Sequence, residues 1–405
     1  MKVNIQKYKI QLIIFLLLFL IFLCSLVLYL HFTNTEDLIP KKNMSFNFRQ
    51  TVHTSDLIEK LNGRLLTNTL VDTNTVGKRK VQVSYYNHYG FIENKYVEIE
   101  IKDITPPTVV VNSTYYAEKG DKYNLLDKIF CADDYDDNVS CQITGDYNFD
   151  KVGKYPLKIV AIDHSNNVTS KSFSLVISDK TDTIKDKQPS LVTTTTDFKN
   201  IYKKYKTNNT LIGLDLSKWQ EQVDFDKIKA QGVEFVMLKI GGQSEKSGKL
   251  ELDPYFINNI EEALKRELKV GVYFYSHATS TDEARKQAGW VVKNLKEYPL
   301  SLPIAFDWEN WNQYTSYHLS FHTLNNIANT FFTTLETKNY QTMLYSSKYY
   351  LDTVWYKEEY NIWLAHYTTD SKDKAEYNMW QLCNDGKIEG INNLVDIDIL
   401  YLKSK

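Results

Sequence analysis

Three hydrophobic patterns divide the chain. Residues 12–30 are almost wholly apolar, interrupted only by Cys24, Ser25 and Tyr29, which is long enough to span a bilayer as one helix. Residues 45–180 alternate apolar and polar side chains in short runs closed by polar turns, the period-2 signature of an antiparallel sandwich. From about residue 210, strand-like runs alternate with helical spacing, which predicts parallel β/α units. The expected strands are 211–215, 234–240 (stopped by Gly241-Gly242), 270–275, 303–309, 343–345, 362–365, 379–381 and 394–397. Between them, Phe256, Ile260, Ala263, Leu264 and Leu268 keep helical spacing. Ser280 and Glu283 are placed as a capping box ahead of a helix carrying Ala284, Ala288, Val291, Val292 and Leu295. A long helix is expected after Glu309, reaching about Lys338.

The fourth of these strands carries the most informative chemistry. Its apolar run Leu302-Pro303-Ile304-Ala305-Phe306 ends in Asp307-Trp308-Glu309. Side chains on a strand alternate faces, so the two acids point the same way, with Cα atoms about 6.5 to 7 Å apart. Unpaired charge at the end of a buried strand is costly, which argues against a packing role. Glycoside hydrolysis needs two such acids, one to protonate the leaving oxygen and one to stabilise or form the reactive centre. A strand that simply runs out into solvent is the structural alternative. Asp215 and Asp396 also sit at or near strand ends, where β/α barrels collect catalytic groups. Four acids from three strands thus converge on one rim.

Residues from about 210 to 402 resemble the glycoside hydrolase family 25 lysozymes (muramidases). The resemblance is carried by Gly213-Leu214-Asp215-Leu216-Ser217-Lys218-Trp219-Gln220, Asp253-Pro254-Tyr255-Phe256, Gly271-Val272-Tyr273-Phe274-Tyr275-Ser276 and Phe306-Asp307-Trp308-Glu309. It continues through Leu344-Tyr345-Ser346, Ile362-Trp363-Leu364-Ala365-His366-Tyr367, Met379-Trp380-Gln381, Gly390-Ile391 and Val395-Asp396. The resemblance implies a flattened β/α barrel with few flanking helices. It implies Glu309 as general acid, Asp307 as the partner that supports the reactive intermediate, and Asp215 and Asp396 as outer acids that position water or sugar. No cofactor and no metal are expected. Negative charge on the three aspartates is expected to favour protonated Glu309. The chain departs from the family's pattern at Gly241-Gly242-Gln243 and at Tyr273-Phe274-Tyr275, positions that bear on substrate contacts. Tyr275, Trp308, Trp363, Tyr367 and Trp380 lie in or beside the strand ends and are expected to stack on sugar rings, with core packing as the alternative.

The flanks of the apolar segment give its expected orientation. Lys2, Lys7 and Lys9 precede it, whereas Glu36, Asp37, Lys41 and Lys42 follow with no net charge. The positive-inside rule then places residues 1–9 in the cytoplasm, 10–32 in the membrane and the rest outside. A cleaved signal peptide is the rival, but no small-x-small site follows. Within 45–180 the sequence repeats at an offset of 76: Val76-Gly77-Lys78 matches Val152-Gly153-Lys154, and Asp103 matches Asp179. Residues 45–104 and 105–180 are therefore expected as two all-β sandwich domains, similar to the bacterial Ig-like repeats of surface proteins. Acidic loops at 133–138 and 163–167 are solvated turns or, alternatively, Ca²⁺ sites. Cys131 and Cys141 flank the first of these loops and form the expected disulfide, whereas Cys24 and Cys383 have no evident partner. Residues 181–208, with threonines at 193–196, read as a linker to the barrel domain at 209–405.

There is no glycine-rich phosphate loop, Cys-x-x-Cys or His-Glu-x-x-His motif, and a net charge of −2 argues against nucleic acid as a partner. The combined expectation is a membrane-anchored, outward-facing peptidoglycan hydrolase. Its partners would be glycan strands and the membrane, with the Ig-like pair contacting wall polymer or protein. The alternative is a surface protein that holds wall glycan on an Ig-like stalk without cutting it.

Overall fold

The computed structural model describes residues 2–34, 36–179, 195–244, 247–295, 298–368 and 377–402. The chain divides into two compact units, Met1–Ile104 and Thr105–Lys405. In the second unit eight strands close into a barrel: β1 (Thr210–Leu216), β2 (Phe235–Gln243), β3 (Lys269–Tyr275), β4 (Ile304–Asp307), β5 (Thr342–Ser347), β6 (Ile362–Ala365), β7 (Met379–Lys387) and β8 (Val395–Tyr401). Strands β1 to β7 pair in parallel in chain order. β8 departs from the all-parallel expectation, running antiparallel to both β1 and β7 and so closing the ring.

Both faces of these strands are buried, which explains why they read as nearly continuous apolar runs. One alternating series, including Phe235, Met237, Tyr273, Ala305, Met343, Tyr345, Trp363 and Met379, fills the barrel interior. The other, including Ile212, Leu214, Val236, Leu238, Val272, Phe274, Phe306, Leu344 and Ile399, packs outward. The surrounding helices include Phe256–Lys265, Thr281–Leu295 and Phe321–Glu336. Ser280 does cap its helix, accepting from the Glu283 amide at 3.3 Å, but the Glu283 carboxylate turns back to Thr279 rather than to Ser280. β2 does not stop at Gly241; an irregularity between Lys239 and Gly241 lets it run on to Gln243 and pair with Leu250–Leu252. The long helix expected after Glu309 is broken into a 3₁₀ turn at Trp311–Gln313, a short helix at Tyr314–Tyr317 and the Phe321–Glu336 helix.

Residues 105–179 form a four-stranded sheet in the order Ser140–Thr144, Gly153–Ile162, Val168–Ser178, Thr114–Glu118, beside a two-stranded pair of Thr108–Val110 with Phe130–Ala132. The last strand of the four runs parallel to its neighbour, so the sheet is mixed rather than purely antiparallel. Cys131 and Cys141 are disulfide-bonded. The first unit repeats this plan: a four-stranded sheet of Ser45–Asn47, Ile92–Lys102, Gly77–Asn87 and Gly63–Leu65, with a two-stranded pair of Leu38–Pro40 and Ile58–Leu61. Hairpin register follows the sequence offset, Val81 facing Val97 as Leu157 faces Phe173. The first unit also holds the Lys2–Asn34 helix, whose Gln11–Leu28 stretch is exposed and long and apolar enough to cross a membrane.

Much of the expected linker, 181–194, lies outside the described residues. Its remainder is part of the barrel: Thr196–Asp197 pairs with β7, and the Phe198–Tyr205 helix begins with a fully buried phenylalanine. Phe198→Ala is therefore expected to destabilise the barrel by about 3–5 kcal/mol, measured by chemical denaturation of the whole chain. A linker residue would cost nothing.

Candidate active site

The C-terminal ends of the barrel strands open into a cleft of about 830 Å³. Asp215, Asp307, Glu309 and Asp396 all line it. Strand geometry explains the meeting. Asp215 on β1 and Asp396 on β8 are direct cross-strand partners, so their carboxylates stand side by side on the interior face. Asp307 ends β4 between Tyr275 of β3 and Tyr345 of β5. Trp308 then turns outward and Glu309, the second residue past the strand, turns back to the cleft. Asp215 and Asp307 are buried, Asp396 is half-buried, and Glu309 reaches solvent at the mouth.

A hydrogen-bond network fixes the deepest of these acids. The Gln381 amide donates to Asp215 Oδ2 at 3.0 Å, and its oxygen accepts from Tyr345 Oη at 2.9 Å and Tyr367 Oη at 3.0 Å. Tyr273 also hydrogen-bonds Asp215. Asp307 Oδ1 is buried and, among the described residues, has no hydrogen-bond donor. Burial drives the carboxyl groups upward: Asp307 stands well above the ordinary range through desolvation and then Glu309, and Asp215 through desolvation and then Asp396. Asp396 is pushed up to about 7 by desolvation, with Glu309 adding to it. Glu309 is also raised. The cause is desolvation by the surrounding cleft walls rather than the expected repulsion from its neighbours, and the Lys239 ammonium works against it.

The sequence of residues 214–391 matches the family described as glycosyl hydrolases family 25. The C-terminal half of this chain carries a glycosyl hydrolase family 25 domain. That makes it a glycosidase domain. The uncharacterized protein YegX of Escherichia coli K12 is 23% identical over 194 residues, 47% of this chain and 69% of that protein. Among solved structures, the modular autolysin LytC of Streptococcus pneumoniae, in complex with a synthetic peptidoglycan ligand, aligns with 25% identity and a TM-score of 0.43. That alignment covers 48% of each chain, so this chain spans about half the length of that autolysin. A family 25 glycosyl hydrolase from Bacillus anthracis aligns with 22% identity and a TM-score of 0.42 over 49% of this chain and 91% of that one.

Within the family 25 domain the expected aromatics divide. Tyr275, Trp363 and Tyr367 line the cleft. Trp308 and Trp380 do not: both are fully buried on the outer face of the barrel, where their indole nitrogens donate to Ala278 O at 3.1 Å and His366 O at 2.8 Å. Alternation is the reason, because each follows an inward residue by one position. Other cleft groups have no counterpart in the expected set. Lys239 lies 4.5 Å from the centre of the Tyr275 ring, and Trp219 stands 70% exposed on the rim. Asp398 is a fifth acid, fully buried beneath the rim, whose Oδ1 accepts from Trp363 Nε1 at 2.8 Å. Its signal was available, since it lies two residues after Asp396 on the same strand face.

Outside the cleft, Asp133, Asp136 and Asp163 bring carboxylate oxygens within 4.8 Å of one another, a hard-oxygen set that suits Ca²⁺. Asp398 generates a stability test. Its affinity for a proton is well above the ordinary range, through desolvation first and then Asp215 and Asp396. Below about pH 3.9 folded and unfolded chains both hold this proton. Above it the unfolded chain ionises while the folded one does not, so stability falls as pH rises until the folded group also titrates. Asp398→Asn is expected to flatten that slope by up to about 1.4 kcal/mol per pH unit, read from urea melts between pH 4 and 8.

Proposed function

We propose that this protein is a membrane-anchored hydrolase that cuts the β-1,4 bond between N-acetylmuramic acid and N-acetylglucosamine in peptidoglycan outside the cell. The observation that carries the reading is the convergence of Asp215, Asp307, Glu309 and Asp396 on one cleft at the barrel's strand ends. Glu309, solvent-accessible and raised above the ordinary carboxylate range, protonates the leaving glycosidic oxygen. Asp307, whose buried Oδ1 has no hydrogen-bond donor among the described residues, supports the positive charge that develops on the sugar. Asp215 and Asp396 position the sugar and the attacking group. Tyr275, Trp363 and Tyr367 supply the ring surfaces of the groove. The Lys2–Asn34 helix anchors the chain with its N-terminus in the cytoplasm, and the two repeated β regions, read as Ig-like, follow it in the chain ahead of the barrel.

Incubating the whole chain in detergent with purified peptidoglycan and analysing the products tests this. New reducing ends at muramic acid are expected, and Glu309→Gln should lower their rate by about 10²–10⁴-fold with the fold intact. Glycan that binds but stays uncut would instead favour a holding role. The pH profile gives a second test. Lys239 holds the proton affinity of Glu309 down, so Lys239→Met should raise it and move the alkaline limb of kcat to higher pH; an unmoved limb would refute the assignment.

A further inference from the structure

The segment that follows Glu309 is held by the β region at 105–179, not by the barrel alone. The Phe321–Glu336 helix begins with four backbone N–H groups that no helix can satisfy internally. Ser320 N donates to Asp137 Oδ1 at 2.7 Å, Phe321 N to Asp133 O at 2.8 Å and His322 N to Asp134 O at 3.0 Å. The fourth, Thr323 N, donates to Ser320 Oγ at 3.1 Å, and the Thr323 hydroxyl donates to the same Asp137 oxygen at 2.7 Å. One turn earlier, the Thr315 hydroxyl donates to Ile129 O at 3.2 Å and accepts from Cys131 N at 3.0 Å.

Rings continue the connection to the acid strand. Phe130 stacks on Tyr314 with centroids 5.2 Å apart, and Tyr314 meets Trp308 edge-on at 5.6 Å. Trp308 is the fully buried residue between Asp307 and Glu309. Asn310, next to Glu309, hydrogen-bonds Tyr317 of the short Tyr314–Tyr317 helix. Glu309 itself lies past the end of β4, beyond the reach of the barrel's ladder. Its placement therefore depends on what holds residues 308–323.

We propose that the 105–179 β region is part of the catalytic apparatus, with Phe130 and Asp137 as positioning residues that set Glu309 through Tyr314, Trp308 and the start of the Phe321–Glu336 helix. The inference rests on the assignment of Glu309 as general acid. A shift of about 1 Å in such a group is enough to cost up to about a hundredfold in rate. The amide oxygen of asparagine can accept both hydrogen bonds that Asp137 Oδ1 accepts, so Asp137→Asn separates the contact from the charge.

The test uses the whole chain acting on purified peptidoglycan. Phe130→Ala and Asp137→Ala should each lower kcat about tenfold or more with KM within about twofold, and Asp137→Asn should restore it. Unchanged kcat in both alanine variants, or an equal loss in Asp137→Asn, overturns the proposal. Should Phe130→Ala fail to fold, the exposed Asp137 pair decides alone. Hydrogen exchange across residues 308–323 gives a readout that does not need turnover: faster exchange in Asp137→Ala but not Asp137→Asn is expected, and unchanged exchange overturns the proposal. A wild type that leaves glycan uncut, or a Glu309→Gln variant that cuts normally, fails the functional assignment instead, and the exchange result then decides the positioning claim.

Discussion

Five carboxyl groups, Asp215, Asp307, Glu309, Asp396 and Asp398, share one end of a closed barrel, and their proton affinities all rise above the ordinary range. Asp215, Asp307 and Asp398 are buried from water, so negative charge on them is poorly solvated and resists charge on their neighbours. The group can therefore hold few charges at once, and its protons belong to the set rather than to single residues. Lys239 supplies a nearby positive charge, and Gln381 with three tyrosines fixes the orientation of Asp215. Such an arrangement relaxes by letting acids swing out to water unless the scaffold is stiff. Stiffness comes from strands buried on both faces and closed into a ring, which leaves the inward residues no alternative direction.

Most of this plan could be read in the residues, because a two-residue period and its apolar partners are local properties. All eight barrel strands lie where the apolar runs predict them, and the acid-x-acid pair turns inward on both counts. The same alternation, applied to Trp308 and Trp380, would have turned them away from the cleft; their chemistry suggested sugar stacking while their parity placed them in the outer shell. Parity would likewise have found Asp398. Other features were out of reach. The direction of β8 depends on how the ring closes, a non-local matter that no window of sequence reports. The cause of Glu309's raised proton affinity could not be separated from charge repulsion before the cleft walls were known.

The break in the long helix after Glu309 has the same character. Apolar spacing alone favours one continuous helix, but Asp137, Asp133 and Asp134 provide acceptors for a new helix start at Ser320. A distant β region thus decides a local boundary. The acidic loop at 133–137, expected as a solvated turn or Ca²⁺ site, and the Phe198–Tyr205 helix, expected as linker, both contribute structure to the barrel's surroundings.

The position of β8 in the chain carries a consequence for biogenesis. It is the most C-terminal strand of the ring, it brings Asp396 and Asp398, and it pairs with β1 as well as β7. A chain still emerging, from a ribosome or through a membrane, can stack the first seven strands but cannot seal the ring or complete the acid set. Closure joins ends nearly two hundred residues apart, a slow, non-local step. The acid set is therefore complete only once the last strand of the ring has paired with both of its neighbours.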